Sequence, residues 1–254
     1  MTERHDEGDE VTFLASYDAS RYPRPSVAVD VVLLTVADGA LRTLLVRRAE
    51  QPQLGRWSLP GGFVGLDESL DAAAARVLGT KAGLDAVFTE QLYTFGDPGR
   101  DPRTRVISVV YYALVEAERL ERAVRTRDDN ALALAHVAVE ANGHVLAVGA
   151  RTADGAALPL AFDHGAILAT AVERIRGKLA YAPIGFELLP ATFTLLELRR
   201  VHESILGRPL NKDSFRRTML DRGLVEATGT FATGLGHRPP ELYRFVRPGA
   251  EAPR

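Results

Sequence analysis

The spacing of apolar residues changes near position 160, and this change divides the chain into two parts. In the first part, Val27–Thr35 is almost continuously apolar and β-branched, which is typical of a strand buried on both faces. Asp38-Gly39 predicts a tight turn into a second strand over Leu41–Val46. Further strands are predicted over residues 87–95, 105–115, 131–139 and 145–148, with a hairpin turn at Asn142-Gly143.

One helix is predicted inside this first part. Residues 57–63 form a strand end that runs into a glycine loop, and Asp67 is a suitable N-cap for a helix over residues 68–82. Gly83 follows as the residue that ends the helix. The first part is therefore expected to have an α/β fold.

Beyond residue 160 the apolar spacing is helical. Helices are predicted over residues 164–179, 193–206 and 212–221, with Thr192 or Thr194 as the cap of the second. The second and third helices have the proportions of a helix-turn-helix. Short strands over residues 224–227 and 242–246 flank a basic, glycine-rich loop, and residues 184–188 are predicted to add a small strand beside them.

These patterns predict a mobile tail over residues 1–24 and two domains over residues 25–160 and 161–254. Residues 160–254 hold 14 Lys and Arg against 10 Asp and Glu, whereas residues 1–159 hold 17 against 23. The basic balance of the second part is a modest indication of a polyanionic partner. The chain has no cysteine, no signal-peptide pattern and no apolar run of membrane-spanning length, so we expect a cytoplasmic protein without a membrane partner.

The predicted helix after the glycine loop matches a pattern used in phosphate chemistry. Hydrolysis of a phosphoanhydride in a small domain needs a divalent metal held by several carboxylates. At Gly62, Glu68, Arg76, Gly83 and Leu84 this loop and helix resemble the Nudix box. The Nudix box presents metal-binding carboxylates on one face of its helix. The positions that hold glutamates in active members of that family are occupied by Val77, Thr80 and Lys81.

We therefore expect no bound metal, no catalytic residue and no Nudix hydrolysis. Glu68 alone cannot hold Mg²⁺ against its own hydration, and the cationic Lys81 would repel the ion. Glu68 then serves only as a first-turn residue favoured by the helix dipole. The alternative is an active nucleotide pyrophosphatase that uses Asp67 or Asp71 beside Glu68.

A second unusual segment, residues 90–103, is a strand that leads into a turn-rich loop with two arginines and two aspartates. Arginine suits phosphate oxygens, and Tyr93 or Phe95 can stack on a base. The alternative is that the arginines pair with Asp97 and Asp101 and only brace the loop.

Residues 90–103, together with Gly55–Val64 and Leu160–His164, closely resemble the NrtR family of Nudix-related transcriptional regulators of NAD metabolism. The resemblance implies an N-terminal Nudix-like α/β/α sandwich followed by a C-terminal winged helix-turn-helix domain. It also implies an ADP-ribose-like nucleotide as effector, with no cofactor required. By position, the candidates for the nucleotide pocket are Arg48, Arg56, Trp57, Phe63, Phe95 and Arg100. Alternatively, Trp57 and Phe63 are core residues and Arg48 is a solvated strand end.

The second part resembles the same family at Phe193-Thr194-Leu195 and at His237-Arg238-Pro239, but has Pro240 where the family more often has alanine. The candidate DNA-binding residues are Lys212, Ser214, Arg216 and Arg217 on the third helix, and His237 and Arg238 in the wing. The alternative is a helical bundle that packs on the first domain with its basic residues merely solvated.

The resemblance implies a repressor of NAD biosynthesis or salvage genes that binds a palindromic operator in double-stranded DNA as a homodimer. Two other functions are compatible with the sequence. One is the active pyrophosphatase described above, and the other is a regulator of the same architecture that responds to a sugar or sugar phosphate.

Overall fold

The protein is described by a computed structural model that covers residues 7–126, 131–142, 145–232 and 239–247. The strands are β1 Ser26–Ala37, β2 Ala40–Arg47, β3 Trp57–Ser58, β4 Gly61–Phe63, β5 Glu90–Phe95, β6 Val106–Leu114, β7 Leu132–Asn142, β8 Val145–Arg151, β9 Ala157–Leu158, β10 Val225–Phe231 and β11 Glu241–Phe245. The α-helices are α1 Glu7–Ser16, α2 Leu70–Val77, α3 Ala117–Arg125, α4 His164–Lys178, α5 Leu195–Leu206 and α6 Lys212–Asp221.

The first nine strands form one mixed sheet with the order β5-β6-β1-β2-β7-β8-β9, with β3 paired to β2 and β4 to β1. Strand β1 lies parallel to β6 and antiparallel to β2. Because successive side chains of a strand point to opposite faces, β1 contributes to two cores. Val31 and Leu33 pack with α2 and α3, whereas Val32 and Leu34 pack with α4. The predicted strand buried on both faces and the α/β/α sandwich are confirmed.

Helix α4 belongs to the core of this sheet although it follows residue 160. Its apolar face, including Ile167, Ala171 and Ile175, is fully buried in the same cluster as β1, β2 and β8. Val201 and Ile205 of α5 complete that cluster. The two predicted domains, 25–160 and 161–254, therefore share a continuous apolar contact.

Helices α5 and α6 with the hairpin β10–β11 form a winged helix with its own small core, which includes Phe193, Leu198 and Phe215. Thr194 caps α5 through a capping box with Glu197, as one of the two predicted caps. The prediction of a strand over residues 184–188 is wrong, because this segment is a 3₁₀-helix. Backbone hydrogen bonds between Phe193 and Tyr243, 2.7 and 2.9 Å long, extend the wing sheet instead.

Three α-helices also differ from the sequence prediction. Within the predicted tail 1–24, residues 7–16 are helical, with exposed side chains at the apolar positions that the structure describes. Helix α2 begins at Leu70 with Ser69 as its cap, rather than at Asp67, because Glu68 is engaged in the preceding loop. Helix α3 was not predicted, since only Leu120 and Ala123 of its nine residues are buried. Among the described residues, no helix has the length and apolar character needed to cross a bilayer.

Candidate functional sites

A cavity of about 240 Å³ opens where β1, β3 and β4 meet the segment after β2, the loop after β5 and the first turn of α4. Three of the six residues predicted for the nucleotide pocket line it, namely Arg48, Phe63 and Arg100. This cavity is called the nucleotide pocket below, after the binding predicted for these three residues. The segment that follows β5 reaches it because β5 pairs with β6, whose neighbour is β1.

Arg100 is the most constrained cation of the pocket, with only 5% of its side chain exposed. Its Nε and Nη2 donate to the two carboxylate oxygens of Asp163 at 2.9 and 2.8 Å, and Nη2 lies 3.8 Å from Asp30 Oδ2. Asp30 also accepts a 2.5 Å hydrogen bond from the Ser108 hydroxyl. The bidentate pair fixes the plane of the guanidinium group.

His164 closes the floor of the pocket. Its Nδ1 accepts a 2.8 Å hydrogen bond from the backbone N–H of Leu59, so the ring proton lies on Nε2, 3.9 Å from Asp30 Oδ1. Burial lowers the pKa of His164; the carboxylates of Asp30 and Asp163 oppose this shift, and the weaker effects of Arg100 and Arg48 add to it. The imidazole is therefore neutral at physiological pH and serves as a structural acceptor rather than a cation.

Two aromatic rings lie beside guanidinium groups at this cavity. Arg48 lies over the ring of Phe162 at 4.7 Å, and its Nε donates to the Pro52 carbonyl. Arg103 lies 5.3 Å from the ring of Phe63, which is 45% exposed. Arrangements of this kind offer both a stacking face and a phosphate donor within a short distance.

Arg103 is also paired with Asp101, as the bracing interpretation of the loop expected. Arg103 Nε and Nη2 donate to the Asp101 carboxylate at 3.1 and 2.8 Å. These hydrogen bonds lower the pKa of Asp101, and the carboxylate also accepts from the backbone N–H of Arg103. The bracing interpretation expected Arg100 to pair with Asp97. In the structure Arg100 pairs with Asp163 instead.

The other three predicted pocket residues lie away from the cavity lining. Arg56 is exposed and donates to the Leu160 carbonyl at 3.3 Å. Trp57 and Phe95 are partly buried against the core shared by the sheet and α4. Their assignment to ligand binding stays a prediction.

Several polar or aromatic residues of the pocket were not among the predicted ones, including Asp30, Glu50, Ser58, Asp101, Arg103, Phe162 and His164. An aspartate inside the apolar run of β1 was one available signal, because a buried carboxylate needs partners. The segment Leu160–His164 was a second available signal, because it resembles the NrtR family and contains Phe162 and His164.

Helix α2 and the loop before it hold the residues of the degenerate Nudix box. Arg76 binds the Glu68 carboxylate through Nε at 3.0 Å and Nη2 at 2.5 Å, and Nη2 also donates to the Phe63 carbonyl. The Arg76 hydrogen bonds and the Gly65 N–H lower the pKa of Glu68 to about 2. Glu68 therefore holds the loop between β4 and α2 in place.

The three substituted positions of the box have different surroundings. Val77 is buried in the core between the sheet and α2. Thr80 donates to the Arg76 carbonyl at 2.7 Å, and Lys81 lines a second, adjacent cavity of about 340 Å³. Across the ranges that the structure describes, no cluster of three or more His, Asp or Glu side chains has metal-binding geometry.

The predicted recognition helix is α6, and its bounds are Lys212–Asp221 as predicted. The side chain of Asn211 caps it by accepting from two backbone N–H groups. Phe215 and Met219 are buried against α5 and the wing. The four predicted DNA-binding residues of this helix, Lys212, Ser214, Arg216 and Arg217, are all exposed. His237 and Arg238 lie outside the described residues.

Comparisons with known proteins agree with this architecture. A NUDIX domain model matches residues 24–148, and a model of the NrtR DNA-binding winged helix domain matches residues 185–245. The chain is 36% identical over 248 residues to the ADPR responsive transcriptional repressor NtrR of Acinetobacter baylyi, covering 97% of this chain and 92% of that protein. The structure thus defines a Nudix domain joined to a winged helix.

Two solved structures of Shewanella oneidensis NrtR are similar over most of their length. The one complexed with a 27mer DNA is 33% identical with a TM-score of 0.68, and covers 87% of this chain and 93% of that chain. The other is 35% identical with a TM-score of 0.69, and covers 87% and 94%. The chain belongs to the NrtR family.

Proposed function

We propose that this protein is a DNA-binding transcriptional repressor of NAD biosynthesis or salvage genes that responds to ADP-ribose or a related nucleotide. The main support is that one chain contains both an arginine-lined nucleotide pocket in its Nudix domain and an exposed basic recognition helix. The Acinetobacter baylyi relative is named as an ADP-ribose-responsive repressor and is similar over both regions. We place the division between effector domain and DNA-binding domain near residue 160.

The composition of the pocket supports a nucleotide diphosphate as effector. Arg100 and Arg103 provide guanidinium groups for phosphate oxygens, and the rings of Phe63 and Phe162 offer stacking faces for a base. Arg48 links the two features, because it lines the pocket while lying over Phe162. No cofactor is required for this binding.

The residues of the Nudix box do not fit a catalytic divalent ion. Glu68 is engaged by two nitrogens of Arg76, and Val77 contributes a buried methyl surface where a carboxylate is needed. Lys81 adds a positive charge on the same turn. We infer that the domain binds its nucleotide without hydrolysing it.

The exposed face of α6 supports recognition of double-stranded DNA in the major groove. Arg216 is suited to a bidentate contact with guanine, while Lys212, Ser214 and Arg217 are suited to phosphates. We propose a homodimer on a palindromic operator, since twofold symmetry presents two recognition helices to equivalent half-sites. As a DNA-binding protein it would act in the cytoplasm.

The experiment that tests this function is a titration of operator DNA with the full chain at fixed physiological salt, with and without ADP-ribose. We expect sequence-specific binding that ADP-ribose weakens, whereas an unrelated duplex is bound more weakly and without response. Specific binding that does not respond to ADP-ribose would remove the effector. Thermal stabilisation by an arabinose-type sugar, but not by ADP-ribose, would favour the sugar-responsive alternative.

The pyrophosphatase alternative requires Asp67 or Asp71 to complete a metal site. Asp67 is exposed, and Asp71 already accepts a 2.8 Å hydrogen bond from the Tyr111 hydroxyl, whose pKa is raised to about 12 by burial and by this contact. Incubation of ADP-ribose with the protein and Mg²⁺ should release no AMP. Release of AMP that the Asp71→Asn substitution abolishes would restore the enzyme hypothesis.

A further inference from the structure

Two of the three arginines that line the nucleotide pocket are already paired with carboxylates. Arg100 is bound by Asp163 and Arg103 by Asp101, while Asp30 lies on the pocket floor. A diphosphate brings two further negative charges into this cavity. It can gain a close contact with Arg100 only if a carboxylate gives way, because like charges at short range in a partly buried site repel strongly.

Asp163 is the carboxylate best placed to move. Its side chain is 22% exposed, compared with 11% for Asp30 and 6% for Asp101. Asp30 is held in the middle of a buried strand by Ser108, and Asp101 accepts from both the side chain and the backbone of Arg103. Asp163, by contrast, is the N-cap residue just before the first residue of α4.

Asp163 also has other partners within reach. It is the N-cap of α4, yet its side chain makes no capping hydrogen bond, and its backbone has ψ 17° instead of the extended value of a normal cap. The residue before it, Phe162, has φ +50°, a left-handed conformation that is strained for a bulky side chain. A carboxylate released from Arg100 can cap the first turn of α4, and the chain at Phe162 can relax with it.

The opposite end of α4 contacts the DNA-binding domain. Nε of Arg176 donates to the carbonyl of Ile205 at 2.8 Å, in the last turn of α5. The same guanidinium group lies close to Gly207, which ends α5 in a left-handed conformation. A cation at this position favours the helix terminus that leads through a short turn into α6.

Helix α4 is a continuous element between these two contacts. Its 15 residues span about 22 Å, and its apolar face is buried together with Val201 and Ile205 of α5. On another side of the winged helix, a cleft of about 550 Å³ separates Pro183 and Phe245 from Tyr112 and Glu116 of the Nudix domain. The winged helix therefore has room to turn about its contact with α4.

We propose that α4 transmits occupation of the nucleotide pocket to the recognition helix. The phosphate groups of the effector take Arg100 from Asp163, Asp163 caps α4, and the resulting shift of α4 reaches α5 through Arg176. Such coupling requires two positions of α4 in which the protein has different affinities for the effector and for DNA. This inference rests on the proposed function, because it describes how that site is regulated.

The first test compares Arg176→Met with Arg174→Met. Both arginines belong to α4, but Arg174 donates to the Leu92 carbonyl of β5, within the Nudix domain. Methionine keeps the apolar stem and removes the donor. The measured quantity is the coupling factor, which is the ratio of the operator Kd with saturating ADP-ribose to the operator Kd without it.

We expect a wild-type coupling factor of about 5 to 150, the usual range for allosteric proteins. Arg176→Met should bring the factor close to 1, while the chain still binds ADP-ribose and operator separately. Arg174→Met should keep the wild-type factor. An unchanged factor in Arg176→Met would overturn the role of α4.

A second variant covers the possibility that Arg176→Met fails to fold. Asp163→Asn removes the charge that competes for Arg100 but keeps a good N-cap. We expect it to bind ADP-ribose more tightly than wild type and to bind operator more weakly without any ligand, with each shift bounded by the wild-type coupling factor. Wild-type affinities for both ligands would overturn the switch at Asp163.

These outcomes separate the inference from the function on which it rests. If the wild-type chain binds both ligands with a coupling factor of 1, the effector-responsive function fails and the transmission fails with it. If the wild-type chain is coupled but Arg176→Met and Asp163→Asn retain full coupling, only the transmission through α4 fails.

Discussion

The arginines of the nucleotide pocket and those of the predicted recognition helix differ in their exposure to solvent. Arg100 has 5% of its side chain exposed and is held by two hydrogen bonds to Asp163, whereas Arg216 and Arg217 of α6 are exposed. A desolvated, oriented guanidinium group selects a ligand by shape and by the position of its charges. Exposed cations attract any phosphate backbone, and this attraction depends strongly on salt.

The contrast implies that one substitution can abolish operator binding without abolishing effector binding. Phe193→Ala should have the largest effect, because Phe193 is 2% exposed in the core of the winged helix. Loss of a buried phenylalanine costs about 3–5 kcal/mol of unfolding free energy. Chemical denaturation should show this loss, and operator binding should disappear while ADP-ribose binding persists.

Phe88→Ala is the matched control, since the side chain of Phe88 is 85% exposed and its loss should leave stability almost unchanged. If Phe193→Ala also abolishes ADP-ribose binding, the two regions form one cooperative unit through α5. That result would weaken the comparison between a separate pocket and a separate DNA-binding surface.

The second effect should come from Arg216→Ala. The side chain is exposed on α6, so the fold should remain intact, and loss of a base contact should weaken specific operator binding by about 1–3 kcal/mol. Arg125→Ala removes the same charge from α3 in the Nudix domain and should leave operator affinity unchanged. Equal affinities of wild type and Arg216→Ala would place this residue outside the interface.

The candidate recognition helix α6 was easier to predict from sequence than the pocket was. The apolar spacing predicted the bounds of α6 correctly, because an amphipathic helix repeats its buried positions every three or four residues along the sequence. The pocket depends on contacts between distant positions, such as Arg100 with Asp163, which are 63 residues apart. Local periodicity has no information about which distant carboxylate an arginine will bind.

The missed elements have a similar physical cause. Helix α3 is polar over most of its length and gives a weak apolar signal, and residues 184–188 are apolar enough for either a strand or a short helix. The sheet was predictable because β1, β2 and β6 have long apolar runs. The packing of α4 against the sheet was not predictable, because amphipathic spacing shows that one face of a helix is buried but not which element covers it.

A third, smaller effect concerns salt. Lys212 lies at the first position of α6 and is exposed, so it is suited to a phosphate contact. Lys212→Ala should reduce the slope of log Kd against log salt by about 0.9, as expected for one lost phosphate contact, and should weaken binding to operator and unrelated DNA alike. Operator titrations between low and moderate salt measure this slope. A slope equal to that of wild type would show that Lys212 makes no phosphate contact.

The smallest effect should come from Glu68→Gln, which tests whether the remaining acid of the Nudix box has a structural role. The pKa of Glu68 is lowered from 4.5 to about 2 by Arg76, so the ion pair stabilises the native state above about pH 4.5 and this stability is lost as the pH falls toward 2. Wild type should therefore melt slightly above Glu68→Gln near pH 7, with the difference shrinking between pH 4.5 and 2.

The pair is partly exposed to solvent, so added salt should also reduce this difference in melting temperature. A difference that does not depend on pH would mean that the charge of Glu68 contributes nothing to the loop. Stabilisation of wild type, but not of Glu68→Gln, by Mg²⁺ would have another meaning. It would show that Glu68 leaves Arg76 to bind a metal, and the Nudix domain would then have to be regarded as an enzyme with an incomplete box rather than as a sensor alone.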